Sequence, residues 1–135
     1  MYKRQLTPFE IARGSPTTYW GLAVALDRSG DIEGAFASIR LARTYDPEDR
    51  LLNGPGWFYV PDYDSAWYAA LGHWAAARAA TVPAARADAY LRASSAWQEY
   101  LLKAAPGDRW VPIARARAAQ CETERKAAAR GAARR

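Results

Sequence analysis

The stretch from residue 19 to residue 47 most constrains the fold, because its pattern predicts two short helices joined by a tight turn. Apolar and small residues recur at spacings of three and four before Gly30 and again after it, as in amphipathic helices. Gly30 ends the first helix, Asp31 caps the second, and Asp46-Pro47 ends the second. Helices with so short a connection must lie antiparallel, so the sequence predicts a helical hairpin.

Length and composition predict one all-α domain without a cofactor. Half of the 135 residues are apolar, and Ala, Trp and Tyr are frequent, which favours packed structure over disorder. The single cysteine, Cys121, excludes an intrachain disulfide and a thiolate cluster. No apolar run approaches the roughly 18 residues that a membrane span needs. Arg outnumbers Lys 16 to 3, which is typical of a GC-rich bacterial genome, and we favour a cytoplasmic location.

The N-terminal segment, residues 1–14, contributes little to the predicted fold. Residues 1–5 resemble the translation of a transposon-end adapter from a sequencing library. We therefore expect them to be artefactual and the chain to be a metagenomic fragment whose natural protein begins upstream. Thr7-Pro8 is a helix start signal and Gly14 a stop, which predicts one short helical turn.

The hairpin resembles a tetratricopeptide (TPR) repeat. The family signature places an aromatic residue, Leu-Gly, Tyr, Ala, Phe and Pro at fixed spacings. The positions in register with it are Tyr19, Leu22, Ala23, Leu26, Ala35, Ile39 and Pro47. Leu26 replaces the Tyr, whereas Ala23 and Ile39 are conservative in packing. The resemblance implies a superhelix of antiparallel α-α hairpins whose concave groove binds peptides or partner helices.

A second copy of the signature follows with a different length. Its positions are Tyr68, Leu71, Gly72, Ala75, Ala93, Trp97 and Pro106. Tyr68 to Pro106 spans 38 positions, whereas Tyr19 to Pro47 spans 28, so the helices or the turn of the second copy must be longer by 10.

The sequence therefore divides into a helical domain and a charged tail. The predicted domain, residues 15–124, contains repeat 1 (16–47), a loop (48–63), repeat 2 (64–106) and a terminal capping helix (108–124). Residues 109–135 hold eight Lys and Arg against two Asp and Glu, whereas residues 1–108 hold 11 against 12. The last part, residues 125–135, is predicted to be a basic, disordered tail.

The predicted binding surface is the concave groove, which the first helix of each repeat lines. Its candidate residues are Trp20, Val24, Asp27 and Arg28 in repeat 1, Ala69, His73 and Ala76 in repeat 2, and Trp57, Phe58, Tyr59 and Tyr63 beside them in the loop. Aromatic anchors dominate many interfaces, although the loop aromatics would equally fill the gap between mismatched repeats. Family members that clamp a peptide carboxylate have Lys and Asn where this chain has Trp20, Gly21 and Val24, so we expect no clamp.

No pattern of catalytic or metal-binding residues stands out. His73 is the only histidine, and a packing or hydrogen-bonding role is favoured over that of a base. For Cys121, the role of a small hydrophobe is favoured over that of a nucleophile. The carboxylates beside the loop lack the Gly and the closing Glu of a calcium site, and helix caps explain them better. We predict no catalytic, cofactor-binding or metal-binding residues.

The sequence thus predicts a non-enzymatic protein-protein interaction scaffold that binds a peptide or partner helix in its groove. An alternative is an accessory or regulatory module of a larger bacterial assembly or enzyme. A weaker alternative is non-specific nucleic-acid binding through the basic tail, which has no aromatic residue for base stacking. We do not expect nucleic acid to be the main partner.

Overall fold

The structure is a computed structural model that describes residues 16–50 and 62–134, apart from the side chains of residues 17, 62 and 63. Within these ranges the chain forms five helices and no strand, which confirms the predicted all-α class. The helices are α1 (Pro16–Arg28), α2 (Ile32–Tyr45), α3 (Asp62–Ala79), α4 (Pro83–Lys103) and α5 (Val111–Ala133). The chain divides into two compact units, Met1–Tyr59 and Val60–Arg135. The single domain predicted over residues 15–124 stays a prediction.

In the first unit, α1 and α2 pack against each other as a helical hairpin. The buried face of α2 carries Ala35, Phe36, Ser38, Ile39 and Ala42. As predicted, Asp31 is the N-cap of α2, and its side chain accepts a hydrogen bond from the Gly34 N–H at 2.9 Å. At the other end of the hairpin, the rings of Tyr19 and Tyr45 stack with their centroids 6.1 Å apart.

A Schellman motif closes the turn between α1 and α2. The Asp31 N–H donates to the Leu26 carbonyl at 2.8 Å, and the Gly30 N–H donates to the Asp27 carbonyl at 3.0 Å. These bonds satisfy two of the carbonyls that the end of a helix leaves unpaired. Gly30 adopts a φ of 98°, which L side chains disfavour, so the turn requires glycine at this position.

Replacing Gly30 with Ala is expected to lower the free energy of unfolding by about 1 to 2 kcal/mol. The cause is backbone strain, because no atom lies within 4 Å of the new Cβ. Chemical denaturation followed by circular dichroism measures the change. The control is Gly131→Ala inside α5, where the Cβ makes an ordinary 3.8 Å contact with Pro83 and alanine favours the helix. Equal destabilisation by both substitutions would contradict the role of the positive φ.

In the second unit, α4 packs against both α3 and α5. The centre of its core is aromatic, since the Trp67 ring meets the Trp97 ring edge-on at 4.8 Å and the Tyr100 ring at 4.9 Å. All three side chains are 0% exposed. The guanidinium carbon of Arg117, on α5, lies 5.2 Å from the centre of the Trp74 ring, so α5 also reaches α3.

A hydrogen-bonded turn joins α4 to α5. The hydroxyl of buried Tyr100 donates to the Asp108 carboxylate, at 3.1 Å from each oxygen. Asp108 Oδ1 also accepts the Trp110 N–H at 2.8 Å, next to the start of α5. Gly107 adopts a φ of 80°, as a tight turn requires. These contacts connect the aromatic core to the point where α5 begins.

The second hairpin is longer than the first because its helices are longer. The helices α3 and α4 have 18 and 21 residues, whereas α1 and α2 have 13 and 14. Both connecting turns have three residues. The extra length, which the sequence left open, therefore lies in the helices and not in the turn.

Two boundaries differ from the prediction. The helix α3 begins at Asp62, inside the segment 48–63 that was predicted to be a loop. The last helix, α5, runs to Ala133, so the predicted capping helix continues through most of the segment 125–135 that was predicted to be disordered. Alanine has the highest helix propensity, and buried Ala128 adds a packing contact near the end. The predicted tail is therefore corrected to a helix through Ala133.

Candidate functional site

The four candidate residues on α1 lie mainly in the interior. Trp20, Val24 and Asp27 are 0%, 4% and 1% exposed. Arg28, one turn after Val24, is half-buried. Buried side chains support the hairpin and are not part of an open groove surface. The predicted exposure of the first three is therefore corrected, and their role in binding a partner stays a prediction.

The buried face of α1 is shifted by one residue from the predicted apolar stripe. The residues that recur at spacings of three and four before Gly30 are Tyr19, Leu22, Ala23 and Leu26, which predicted the buried stripe. After Pro16, the residues of α1 that are buried are instead Trp20, Ala23, Val24 and Asp27. Both sets have the spacing i, i+3, i+4, i+7, so helical periodicity fits either of them. Leu22 is 47% exposed as a result.

Trp20 takes part in a network of contacts within the hairpin. The guanidinium carbon of Arg43 lies 5.4 Å from the centre of the Trp20 ring, within reach of a cation–π interaction. The same guanidinium binds the Asp49 carboxylate with N–O distances of 3.1 to 3.3 Å. Asp49 has a φ of 54°, which is uncommon outside glycine. The Arg43–Asp49 ion pair therefore helps to hold a strained turn after α2.

In the second unit, α3 is buried around most of its circumference. Nine of the twelve residues from 66 to 77 are buried, and only Ala69, His73 and Ala76 are partly exposed. The i, i+4, i+7 spacing places these three residues on one face of the helix. They are the residues that the sequence predicted to line the groove of repeat 2. The structure thus brings them together as the exposed stripe of α3.

The exposed stripe of α3 borders a groove whose other wall is α4. This α3–α4 groove has a volume of about 510 Å³ and is lined by Ala69, His73, Asp88, Leu91, Arg92, Ser95, Ala96 and Glu99. It is a shallow depression that is wide open to solvent. Leu91 is 48% exposed, whereas Asp88 pairs with Arg92 at 3.0 Å and Glu99 pairs with Lys103 at 2.7 Å. The groove therefore combines small side chains and one apolar side chain with balanced charges on α4.

Sequence reasoning missed the α4 wall of this groove. Leu91, Ser95 and Glu99 follow one another at intervals of four, so they share an exposed face of α4. The TPR resemblance implies a groove lined by the first helix of each repeat, which in the second hairpin is α3. One feature of the sequence could have indicated this wall. Leu91 is a large apolar residue directly after Tyr90, the first buried residue of α4, so it lies outside the buried face of the helix.

The Cys121 thiol is buried and chemically protected. It is 0% exposed, and burial raises the pKa of the thiol to about 12. The Trp97 indole facing the sulfur lowers that pKa only in part, and its N–H makes no hydrogen bond of ordinary geometry. The thiolate is the form that attacks substrates or binds metals, so this site favours packing over chemistry.

The carboxylates that follow α2 stabilise a turn. Asp46 ends α2 and accepts the Arg50 N–H at 3.0 Å, while Glu48 pairs with Arg50 at 2.7 Å. Asp49 is held by Arg43. Across residues 16–50 and 62–134, no three His, Cys, Asp or Glu side chains converge as metal ligands.

The loop candidates Trp57, Phe58 and Tyr59 lie outside the described residues. Tyr63 lies in the first turn of α3, but its side chain is likewise not described. Their role, as core or as binding surface, stays a prediction.

Comparison with protein-family models, with curated proteins and with solved structures finds no match for this chain. None of the helices described above is long and apolar enough to cross a membrane.

Proposed function

We propose that this protein is a non-enzymatic protein-protein interaction scaffold that binds a peptide or a partner helix in the α3–α4 groove. The observation that carries the proposal is the exposed stripe of α3, because Ala69, His73 and Ala76 are the only part-exposed positions on a stretch of twelve residues. A helix buried on its other faces is a rigid platform, and rigid platforms lower the entropic cost of binding.

We also propose that the two hairpins are TPR-like repeats. The two three-residue turns support this assignment. So does the burial of the helical signature positions of the second copy, which are Tyr68, Leu71, Gly72, Ala75, Ala93 and Trp97. On α1, by contrast, the signature positions Tyr19, Leu22 and Leu26 are not buried. The capping role proposed for α5 is supported by its buried stripe of small residues, Ala114, Ala118, Cys121 and Ala128, and by its charged outer side.

The shape and chemistry of the groove suit an elongated ligand. Its α4 wall extends from Asp88 to Glu99, about 17 Å along the helix axis, which corresponds to about three turns of a partner helix. Ala69 and Ser95 allow a main chain to approach closely, and Leu91 offers an apolar contact for an anchoring side chain. The Asp88–Arg92 pair can orient a partner through its own charges.

Peptide selection on the immobilised protein tests this proposal. Peptides enriched from a random display library are remeasured against the wild type and the Ser95→Arg variant, whose long charged side chain obstructs the groove. We expect at least about tenfold weaker binding to the variant, which corresponds to 1.4 kcal/mol. The control is Ala85→Arg, an exposed position on α4 outside the groove. Enriched peptides that bind all three proteins equally, or a selection without enrichment, would contradict the groove assignment.

A further inference from the structure

The outer side of α5 carries a row of cations, most of which lie in the segment 125–135 that was predicted to be a disordered tail. Arg115, Lys126, Arg130 and Arg134 are all exposed. At 100° per residue they fall within an arc of about 100° and extend over about 28 Å of the helix axis. We call these four residues the α5 basic row. Because α5 is helical to Ala133, these cations have fixed relative positions.

Acidic residues neutralise the α5 basic row only in part, through an electrostatic interaction between Glu122 and Lys126. Only two acids lie among residues 109–135, namely Glu122 and Glu124. Glu122 is bound by Arg125, with N–O distances of 2.6 and 2.9 Å. Glu124 borders a different depression, which Pro83 and Arg86 of α4 also line. Within the described part of the chain, no ion pair involves a member of the row.

Helix stabilisation explains only part of this row. Cations near a helix C-terminus interact favourably with the helix dipole, and this accounts for Arg130 and Arg134. The effect falls off beyond the last turn, whereas Arg115 and Lys126 lie in the first and third quarters of α5. A structural role therefore leaves half of the row unexplained.

The geometry points to the phosphate backbone of duplex nucleic acid as the ligand of the α5 basic row. Lys126, Arg130 and Arg134 repeat every four residues, or about 6 Å along the axis, which suits a regular array of phosphates. The residues between these three cations are all Ala or Gly, so that a phosphate backbone can approach closely. The row has no aromatic residue for stacking on single strands and no large apolar residue for insertion into a lipid surface.

This binding is independent of the α3–α4 groove and insensitive to base sequence. Four phosphate contacts predict that the logarithm of the association constant falls with the logarithm of the salt concentration with a slope of about −3.6. Between 50 and 200 mM salt the affinity should fall on the order of 100-fold.

Fluorescence anisotropy with a labelled 20-base-pair duplex tests the inference. The variant Lys126→Gln/Arg130→Gln/Arg134→Gln keeps a high helix propensity, because Gln, Lys and Arg are similar in this respect. The control Arg40→Gln/Arg50→Gln/Lys103→Gln removes the same three charges from exposed positions elsewhere. We expect the row variant to bind at least tenfold more weakly at 50 mM salt, with a slope shallower by about 2 to 3. The control should stay within about threefold of the wild type.

Three outcomes would overturn the inference. The first is an equal loss of affinity in the row variant and the charge-matched control, since net charge would then explain binding. The second is the absence of duplex binding at 50 mM salt. The third is tighter binding of a poly-glutamate chain with the same number of charges, since the row would then fit an acidic protein. Circular dichroism of each variant verifies that the helices are intact.

Discussion

We expect the Trp67→Ala variant to lose about 3 to 5 kcal/mol of unfolding free energy, one of the largest effects that a single substitution can have here. Trp67 is 0% exposed and contacts Trp97 and Tyr100 edge-on. Its removal forfeits the transfer free energy of the indole and two aromatic contacts, and it leaves a cavity between α3 and α4. Small domains are only marginally stable, so the variant lies close to the limit of folding.

Two further substitutions serve as comparisons for the Trp67→Ala variant. Trp67→Phe keeps part of the contact and is expected to unfold reversibly with a smaller loss, which urea titration monitored by circular dichroism measures. Trp110→Ala removes an indole that is only half-buried, so its cost should be clearly smaller. If Trp67→Ala cost no more than Trp110→Ala, the aromatic cluster would not be the centre of the core.

Stability is expected to fall above pH 9 because of Cys121. Burial raises the pKa of this thiol to about 12 in the folded protein, whereas in the unfolded chain it ionises near about 8.5 to 9. Between these values the unfolded state releases its proton and the folded state keeps it, so rising pH favours unfolding. The loss is about 1.4 kcal/mol per pH unit, or about 2 kcal/mol between pH 8 and pH 10.5.

The comparison with Cys121→Ala isolates the contribution of the thiol. The pKa of Tyr90 is also raised, mainly by burial and in smaller part by Cys121, so the difference between the two proteins includes this smaller effect of the thiol on the tyrosine. We expect the wild type to lose about 2 kcal/mol more than the variant over this pH range. Parallel stability profiles from urea titrations at pH 8, 9 and 10.5 would show that the thiol does not titrate in this way.

Local signals explain why much of the fold could be predicted from the sequence. Gly30 and Asp31 fix the turn after α1, and the structure gives both the positions that were predicted for them. Pro83 stands at the start of α4, where its fixed φ suits the first turn of a helix. Each signal depends on the residue's own backbone preference or capping bond, so it requires no knowledge of distant contacts.

The features that sequence reasoning missed depend on tertiary packing. On α1, the two overlapping stripes have the same periodicity, and the polar residue Asp27 made the buried stripe the less obvious of the two. At the end of α5, charge suggested a frayed tail, whereas buried Ala128 continues the packing surface of Cys121. The α4 wall of the groove was not predicted because Leu91 and Ser95 form a groove only when α3 packs beside them.

The Arg43–Asp49 ion pair also bears on how this protein can evolve. Together with the stacked rings of Tyr19 and Tyr45, it completes the first hairpin before residue 51. Insertions or deletions in the connecting segment therefore need not alter the register of α1 and α2.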